Sequence, residues 1–522
     1  MKKILTLAIA IAYLVYAAAY IQETSFVING ERYYALFDDA MISMRYAQNL
    51  AAGNGPVWNI GERVEGYSNP LWVAYMAFWH LFPIPASKIS LVIQISGALF
   101  IAATFFVLHQ LSEEAFRTPY PGILAAAMTA AYLPLHNWAL QGMEVSLLTL
   151  LLALTAWLAL RALNRRTFPR ALYLLMGAAT LVRMDMAVPF IVTAAFLWWF
   201  DPANRRKHLQ WALLTFAIFL GGQTLLRLVY YGSLVPNTYL LKVTGVPAWF
   251  RIAAGGYVFF RFLWTTNWLL YLLPFIALAF GPRRETLLLL TLFTAQCAYS
   301  VYVGGDAWEH RGGANRFIAQ VMPLFFLALT AAADQLRQNL RTPPFAQPLA
   351  SLAMLGLLAF SMFNFNTMIE SNALERVLLI RQPLYVKGTE RYTQMGLFLN
   401  QITEPQARIA VVTAGAMPYF ANRPAIDLMG KSDPIIAAGP MRIVPNRKNI
   451  PNFRPGHTKW DYAYSIGTLQ PDIVAQLWDE TSEEAAPYLT NYVKITVDDI
   501  PYYLRADSPY IHWEAVQPFI QK

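Results

Sequence analysis

Charge is scarce in this 522-residue chain. Lys, Arg, Asp and Glu make up 14% of it, against 57% hydrophobic residues. A water-soluble protein of this size would need far more charge to shield its apolar surface. Cysteine is nearly absent: the single one, Cys297, lies in an apolar stretch, which excludes an internal disulfide and a cysteine metal site. The apolar runs lack two-residue alternation, which argues against a barrel, and no low-complexity tract or obvious repeat is visible. What recurs instead are apolar segments of about 18 or more residues, each enough to cross a bilayer as a helix. Mean hydropathy, at +0.37, agrees. The chain reads as a polytopic α-helical membrane protein with about eleven transmembrane helices, within a range of about ten to thirteen. Its net charge of +9 does not point to nucleic acid, because much of the excess lies in short connectors between apolar runs.

The start, Met1-Lys2-Lys3 and then Ile4 to Tyr20, is a charged cap on an apolar helix. Ala17 and Ala19 offer a signal-peptidase-type site, but the length favours a retained anchor, with residues 23–68 emerging outside. Further apolar segments run at about 69–84, 88–110, 121–135, 143–163, 171–182, 186–200, 208–231, 267–280, 286–303, 315–336 and 348–366. Basic connectors at Arg161 to Arg170, Arg205 to His208, Arg283–Arg284 and Arg337 to Arg341 belong in the cytoplasm. The loops 136–142, 183–185, 232–266 and 304–314, and everything after 366, then lie outside. Parity requires one segment between 69 and 135 not to cross. The short, Trp- and Tyr-rich 69–84 is the candidate for an interfacial segment.

After residue 366 charges and prolines become common, and residues 367–522 read as a soluble α/β domain behind a membrane domain of residues 1–366. Arg408 to Thr413 predicts a strand and Gly415 to Phe420 a turn into a helix. Tyr492 to Val497 and Tyr502 to Arg505 predict further strands.

Polar residues needing explanation cluster in the outer loops. FDDAMISMRYAQNLAAGNG predicts an amphipathic helix capped by an aspartate, with Ile42, Tyr46 and Leu50 on one face and Gly53 at its end. A cap accounts for one member of Asp38–Asp39 but not both. Two adjacent carboxylates are costly without a cationic or proton-transfer partner, which makes the pair the candidate catalytic centre. Glu62, Arg63 and Glu65 follow in a turn-rich stretch, readable also as a solvated loop. Arg183 and Asp185 join two apolar segments with barely a connector, as a functional pair or a structural ion pair. Lys242, His310, Arg311 and Arg316 add positive charge outside, for a substrate or for lipid headgroups. Together these residues offer what a lipid-linked phosphosugar needs: cations for its phosphate and a carboxylate for the incoming hydroxyl.

The first-loop stretch FDDAMISMRYAQNLAAGNGPVWNIGERVEGYSNPLW resembles the signature of GT-C superfamily membrane glycosyltransferases. The resemblance is to the branch of the terminal arabinofuranosyltransferases and related lipopolysaccharide-type enzymes. It extends through Gly142-Met143-Glu144, Arg183-x-Asp185, PNTYLLK (Pro236 to Lys242), Gly304 to Pro323, Ala414 to Ala437 and Pro455 to Asp461. It implies a transferase that moves a sugar, hexosyl or pentosyl, from a polyprenyl-phosphate donor to a hydroxyl of an envelope glycan, glycolipid or protein. The membrane implied is the bacterial inner membrane, with the active site outside and inversion at the sugar. Asp38 then aligns as base, with Asp39 assisting or binding a divalent cation. Arg45, Arg63, Glu65, Glu144, Arg183, Asp185, Asn237, Lys242, Asp306, His310 and Arg316 become candidate substrate-binding residues. The chain departs from its relatives at Met184 and Met186 in the Arg-x-Asp motif, at Thr413, and at Lys431, where they carry an apolar residue. The rival reading is a transporter or lipid flippase. The absence of an inverted repeat or of paired broken segments argues against it.

Overall fold

The computed structural model describes residues 2–281, 283–307, 315–339, 347–366 and 373–520. Among these, six helices are long and apolar enough to cross a membrane: Lys2–Glu23, Ile89–Phe116, Val145–Arg165, Pro202–Tyr231, Arg284–Val303 and Gln347–Phe365. A seventh crossing forms if Ala248–Thr265 and Trp268–Phe280, bent by 91° at their junction, act as one span. Shorter apolar helices, Tyr120–Ala130, Arg170–Val182 and Met184–Phe200, fill in between them. The multi-pass helical architecture read from the sequence is present, whereas the count of eleven crossings is not reached by full-length helices. Segment 69–84 becomes the helix Pro70–His80, whose 11 residues fall short of a bilayer crossing.

The helices pack as their faces dictate. Lys2–Glu23 turns Tyr13, Ala17 and Tyr20 inward and leaves Ile4, Ile11 and Val15 outward, where lipid would meet them. Inside the bundle the Tyr20 hydroxyl donates to Asn137 Oδ1 at 2.7 Å. The helix Met322–Asn339 runs through the middle, with Met322 and Phe325 to Ala328 fully buried.

One expectation is corrected. Residues 232–266, read as an outer loop, hold the helices Asn237–Val243 and Ala248–Thr265. Arg251 and the Gly255–Gly256 pair disguise the second of these. Gly255 lets the backbone of Val301 come into contact, and Arg251 donates to the Tyr302 carbonyl at 2.9 Å while stacking on its ring.

The first loop opens with a hairpin that went unread in the sequence. β1 (Phe26–Ile28) and β2 (Glu31–Tyr33) pair antiparallel around Asn29-Gly30, both at positive φ, as a tight hairpin turn requires. The helix Asp38–Ala51 follows. Its N-cap is Phe37, with no side-chain cap bond, so the expected aspartate cap is wrong: Asp38 and Asp39 both occupy the first turn. Gly53 ends the helix at φ +81°, as expected.

Beyond residue 400 a five-stranded mixed sheet forms in the order β4-β3-β5-β7-β6. Its strands are β3 (Ile409–Val411), β4 (Ala425–Asp427), β5 (Ile473–Val474), β6 (Tyr492–Val497) and β7 (Ile500–Arg505). β3 lies parallel to β4 and β5, while β7 runs antiparallel to β5 and β6. Three of the strands and the helix Ala416–Ala421 were legible in the sequence; β4 and β5 are only three and two residues long and were not.

This sheet region is stitched to the first loop through Arg45. Its Nε donates to the Trp58 carbonyl at 2.7 Å, and its other nitrogens reach Asn59 Oδ1 and the carbonyls of Pro418 and Arg423 at 2.6–2.9 Å. Asn59 adds a reciprocal pair of bonds to the Ala425 backbone at 2.8 and 3.0 Å. Arg45 is thus fully used as a clamp. Arg45→Ala takes the donor from the Arg423 carbonyl, while the Trp58 and Pro418 carbonyls keep the Asn49 amide and the Asn422 N–H, and it should cost roughly 1–3 kcal/mol. Lysine cannot reproduce the fork, so Arg45→Lys should also lower the thermal midpoint of the detergent-solubilised protein. Unchanged midpoints would contradict the clamp.

Candidate active site

Two glycines set how closely the backbone approaches the acidic pair. Gly142 sits at φ +88° where a Cβ would strike the Leu36 side chain, just before the pair. Gly415 packs directly on Asp38: a Cβ there would run into the Asp38 carbonyl and stand 2.7 Å from Oδ1. This approach lets the Ala416 N–H donate to Asp38 Oδ1 at 2.9 Å.

The adjacent carboxylates have different surroundings. Asp38 is buried and makes no ion pair among the described residues; burial raises its pKa to about 6, against the lowering influence of the Ala416 N–H and of Lys431 nearby. Burial would raise Asp39 too, but it is salt-bridged to Lys431 and to Arg316 (3.2 Å), and these hold it well below the usual carboxylate range. Arg316 is itself fixed by Asp306 at 2.9 Å.

Asp39 lines a cavity of about 90 Å³ together with Ser43, Asn69, Glu144, Arg183, Lys242, Arg316, Lys431 and His457. Lys242 makes no ion pair among the described residues. Burial, and then repulsion from Arg316, lower it to about 8. His457 is pushed down to about 3 by burial and by Lys431. Asp38 lines a different cavity, of about 550 Å³, with Phe37, Arg376, Arg381, Tyr385, Lys387 and Tyr392.

The remaining sequence candidates divide clearly. Arg183 holds Asp185 at 2.5 and 2.9 Å and Glu144 at 3.0 Å, with Gln320 and Gln296 completing the network, and Asn69 donates to Glu144 at 2.9 Å. Arg183 and Glu144 thereby border the cavity, while Asp185 and Asp306 brace the arginines from behind. Glu65 is spent on a buried bidentate pair with Arg227. Asn237 donates its side-chain amide to the carbonyls of Gly430 and Lys431, both at 2.9 Å. Arg63 is exposed and stacks over Tyr230 at 4.8 Å. Arg45, Arg63, Glu65 and Asn237 are therefore not brought to the cavity, because clamp, stacking, ion-pair and loop-anchoring contacts occupy them. His310 and Arg311 lie outside the described residues.

Sequence reasoning missed Lys431 and His457 as site residues. Both come from the sheet region, and only the departure at Lys431 hinted at it. The expected divalent cation does not fit this geometry. Both oxygens of Asp39 already meet side-chain cations, and Asp38 Oδ1 meets an N–H. Among the described residues no three His, Cys, Asp or Glu side chains gather as a metal site.

Across 97% of this chain and 98% of its own length, ArnT from Cupriavidus metallidurans, crystallised with undecaprenyl phosphate, matches at a TM-score of 0.55 and 13% identity. AglB, the archaeal oligosaccharyltransferase from Archaeoglobus fulgidus in complex with an inhibitory peptide and a dolichol-phosphate, matches at 0.52 and 10% identity. That match covers 97% of this chain and 75% of AglB. The fold is that of ArnT and AglB. In sequence, the chain is similar to the terminal beta-(1->2)-arabinofuranosyltransferases of Mycobacterium tuberculosis and Corynebacterium glutamicum. They are 29% and 27% identical over 234 and 246 residues, in each case 41% of this chain. The resemblance carried by the first-loop motif is thus borne out. The matches span 35% and 34%, about a third, of those relatives' length. Residues 381–513 match a family described as a domain of unknown function (DUF8728).

The ion pairs on Asp39 yield a stability test. With its folded pKa depressed, Asp39 contributes stability above the ordinary aspartate pKa of about 4 and loses it as pH falls below that. Asp39→Asn should therefore lower the thermal midpoint at pH 7, and the deficit should narrow below about pH 4. A deficit independent of pH would mean that the ion pairs are not its source.

Proposed function

We propose that the chain is a membrane glycosyltransferase that moves a sugar from a polyprenyl-phosphate-linked donor to a hydroxyl of a cell-envelope glycan, glycolipid or protein, with inversion. The observation that carries this reading is the convergence of Arg183, Lys242 and Arg316 on one small cavity beside the acidic pair, Lys242 making no ion pair among the described residues. The names of the sequence relatives favour a pentosyl, arabinofuranosyl-type donor, though a hexosyl donor would use the same groups. The resemblance to envelope glycosyltransferases supports the bacterial inner membrane, and the basic connectors support an extracytoplasmic side for the first loop and residues 367–522. The shorter apolar helices supply the further crossings if the total is about eleven.

In the proposed step, Asp38 accepts the proton of the acceptor hydroxyl as that oxygen forms a bond to the anomeric carbon. The bond from that carbon to the phosphate oxygen breaks with its electron pair leaving on the phosphate, whose charge Lys242 and Arg316 receive. Asp38 suits the base role because burial has raised its proton affinity, whereas Asp39 is tied up in salt bridges. The larger cavity at Asp38 offers the acceptor an approach separate from the cavity that Asp39 lines. No metal enters this scheme, since Arg316 already pairs with Asp39. The flippase alternative draws no support from Arg183, Asp185 and Glu144, which satisfy one another instead of spacing out along a path.

Transfer from a polyprenyl-phosphate sugar, assayed with the purified membrane protein, tests the reading. Asp38→Asn should abolish turnover, by 10³-fold or on that order, while leaving donor binding intact. Transfer that survives this change would remove Asp38 as base. For the wild type, kcat/KM should rise with pH through about 6, as Asp38 ionises, and fall through about 8, as Lys242 loses its proton. Lys242→Met should remove the alkaline limb and raise the donor KM. An unchanged profile in that variant would separate Lys242 from the phosphate.

A further inference from the structure

Lys431 is the one cation at the cavity that comes from the sheet region, and the scheme above uses it only as a neighbour. Its backbone is held rigidly. The Asp427 carboxylate accepts the N–H groups of Met429, Gly430 and Ser432 at 3.0, 3.1 and 2.7 Å, winding residues 427–432 into a compact loop with Gly430 at φ +81°. From the membrane-embedded half, the Asn237 amide grips the Lys431 carbonyl at 2.9 Å. So much fixed structure delivers a single flexible side chain across the seam to Asp39.

Asp39 does not need that cation for neutrality in the way an isolated carboxylate would, because Arg316 already pairs with it. Arg316 cannot leave easily: its planar fork is also held by Asp306. Among the described residues Lys431 has no carboxylate partner other than Asp39, and its four-carbon stem can be re-aimed without moving the backbone. The cavity itself, about 90 Å³, is far below the roughly 300 Å³ at which ligand pockets begin. A sugar phosphate therefore enters only if a lining side chain yields. Turning Lys431 off Asp39 both enlarges the cavity and frees an ammonium group inside it.

We propose that Lys431 binds the phosphate of the lipid-linked donor, so that the C-terminal region supplies part of the donor site, with Lys431 exchanging Asp39 for phosphate as the ligand arrives. This rests on the polyprenyl-phosphate reading given above. It predicts that anionic and uncharged forms of the same lipid are distinguished by this residue.

The test measures binding of undecaprenyl phosphate and of undecaprenol to the full-length detergent-solubilised protein, in the wild type and in the variants Lys431→Met and Lys431→Arg. The wild type should prefer the phosphate form. Lys431→Met should lose at least tenfold of affinity for it while binding undecaprenol unchanged, and Lys431→Arg should stay within about threefold of wild type. If Lys431→Met binds the phosphate as wild type does, the proposal is overturned. If it loses both lipids alike, Lys431 serves the fold and the proposal is likewise overturned. A wild type that shows no preference for the phosphate overturns the donor reading itself, an outcome distinct from the other two.

Discussion

The site depends on one electrostatic constraint: a carboxylate in the first turn of a loop helix, Asp39, has to be paired with cations brought from elsewhere in the chain. Arg316 arrives from the end of the membrane-embedded half and Lys431 from the sheet region. An ionised carboxylate removed from water is costly until such partners are in place. Its two partners therefore require three distant stretches of sequence to be assembled correctly before the centre exists. The Arg45 clamp, the Asn59–Ala425 bonds and the Asn237 grip on residues 430–433 run alongside, and each ties the sheet region to an earlier part of the chain. Packing and charge thus reinforce one arrangement.

The same constraint separates the two neighbouring aspartates. They are adjacent in sequence and share a helix turn, yet one is anchored by cations and the other is held by a backbone N–H without a counter-ion. Burial acts on both; the direct pairing of Lys431 and Arg316 with Asp39 outweighs it there and not at Asp38. Two chemically identical groups acquire opposite shifts in proton affinity, the difference that the proposed division between a base and an electrostatic anchor uses.

Much of this was legible in the sequence, for identifiable reasons. Apolar runs announce helices because a bilayer admits little else, and the adjacent carboxylates stood out because no local partner accounts for both. What escaped was what depends on distant contacts. Ala248–Thr265 looked like a loop because Arg251 finds its carbonyl acceptor on another helix. Arg45, Glu65 and Asn237 looked available for substrate because the carbonyls and the arginine that engage them lie far away in sequence. Lys431 looked merely unusual, since Asp39 lies 392 positions upstream. Local pattern identifies which residues need a partner, but not which partner they find.

The Arg45 seam has a consequence for how such a protein can diversify. Its acceptors are mainly backbone carbonyls, at Trp58, Pro418 and Arg423, so the clamp reads the course of the chain and is indifferent to most side chains along it. Loops on the sheet region are accordingly free to drift in composition as long as that course is kept. Wholesale exchange of the region between relatives is another matter: a graft that alters the path of residues 418–425 would carry its own mismatch into the first loop.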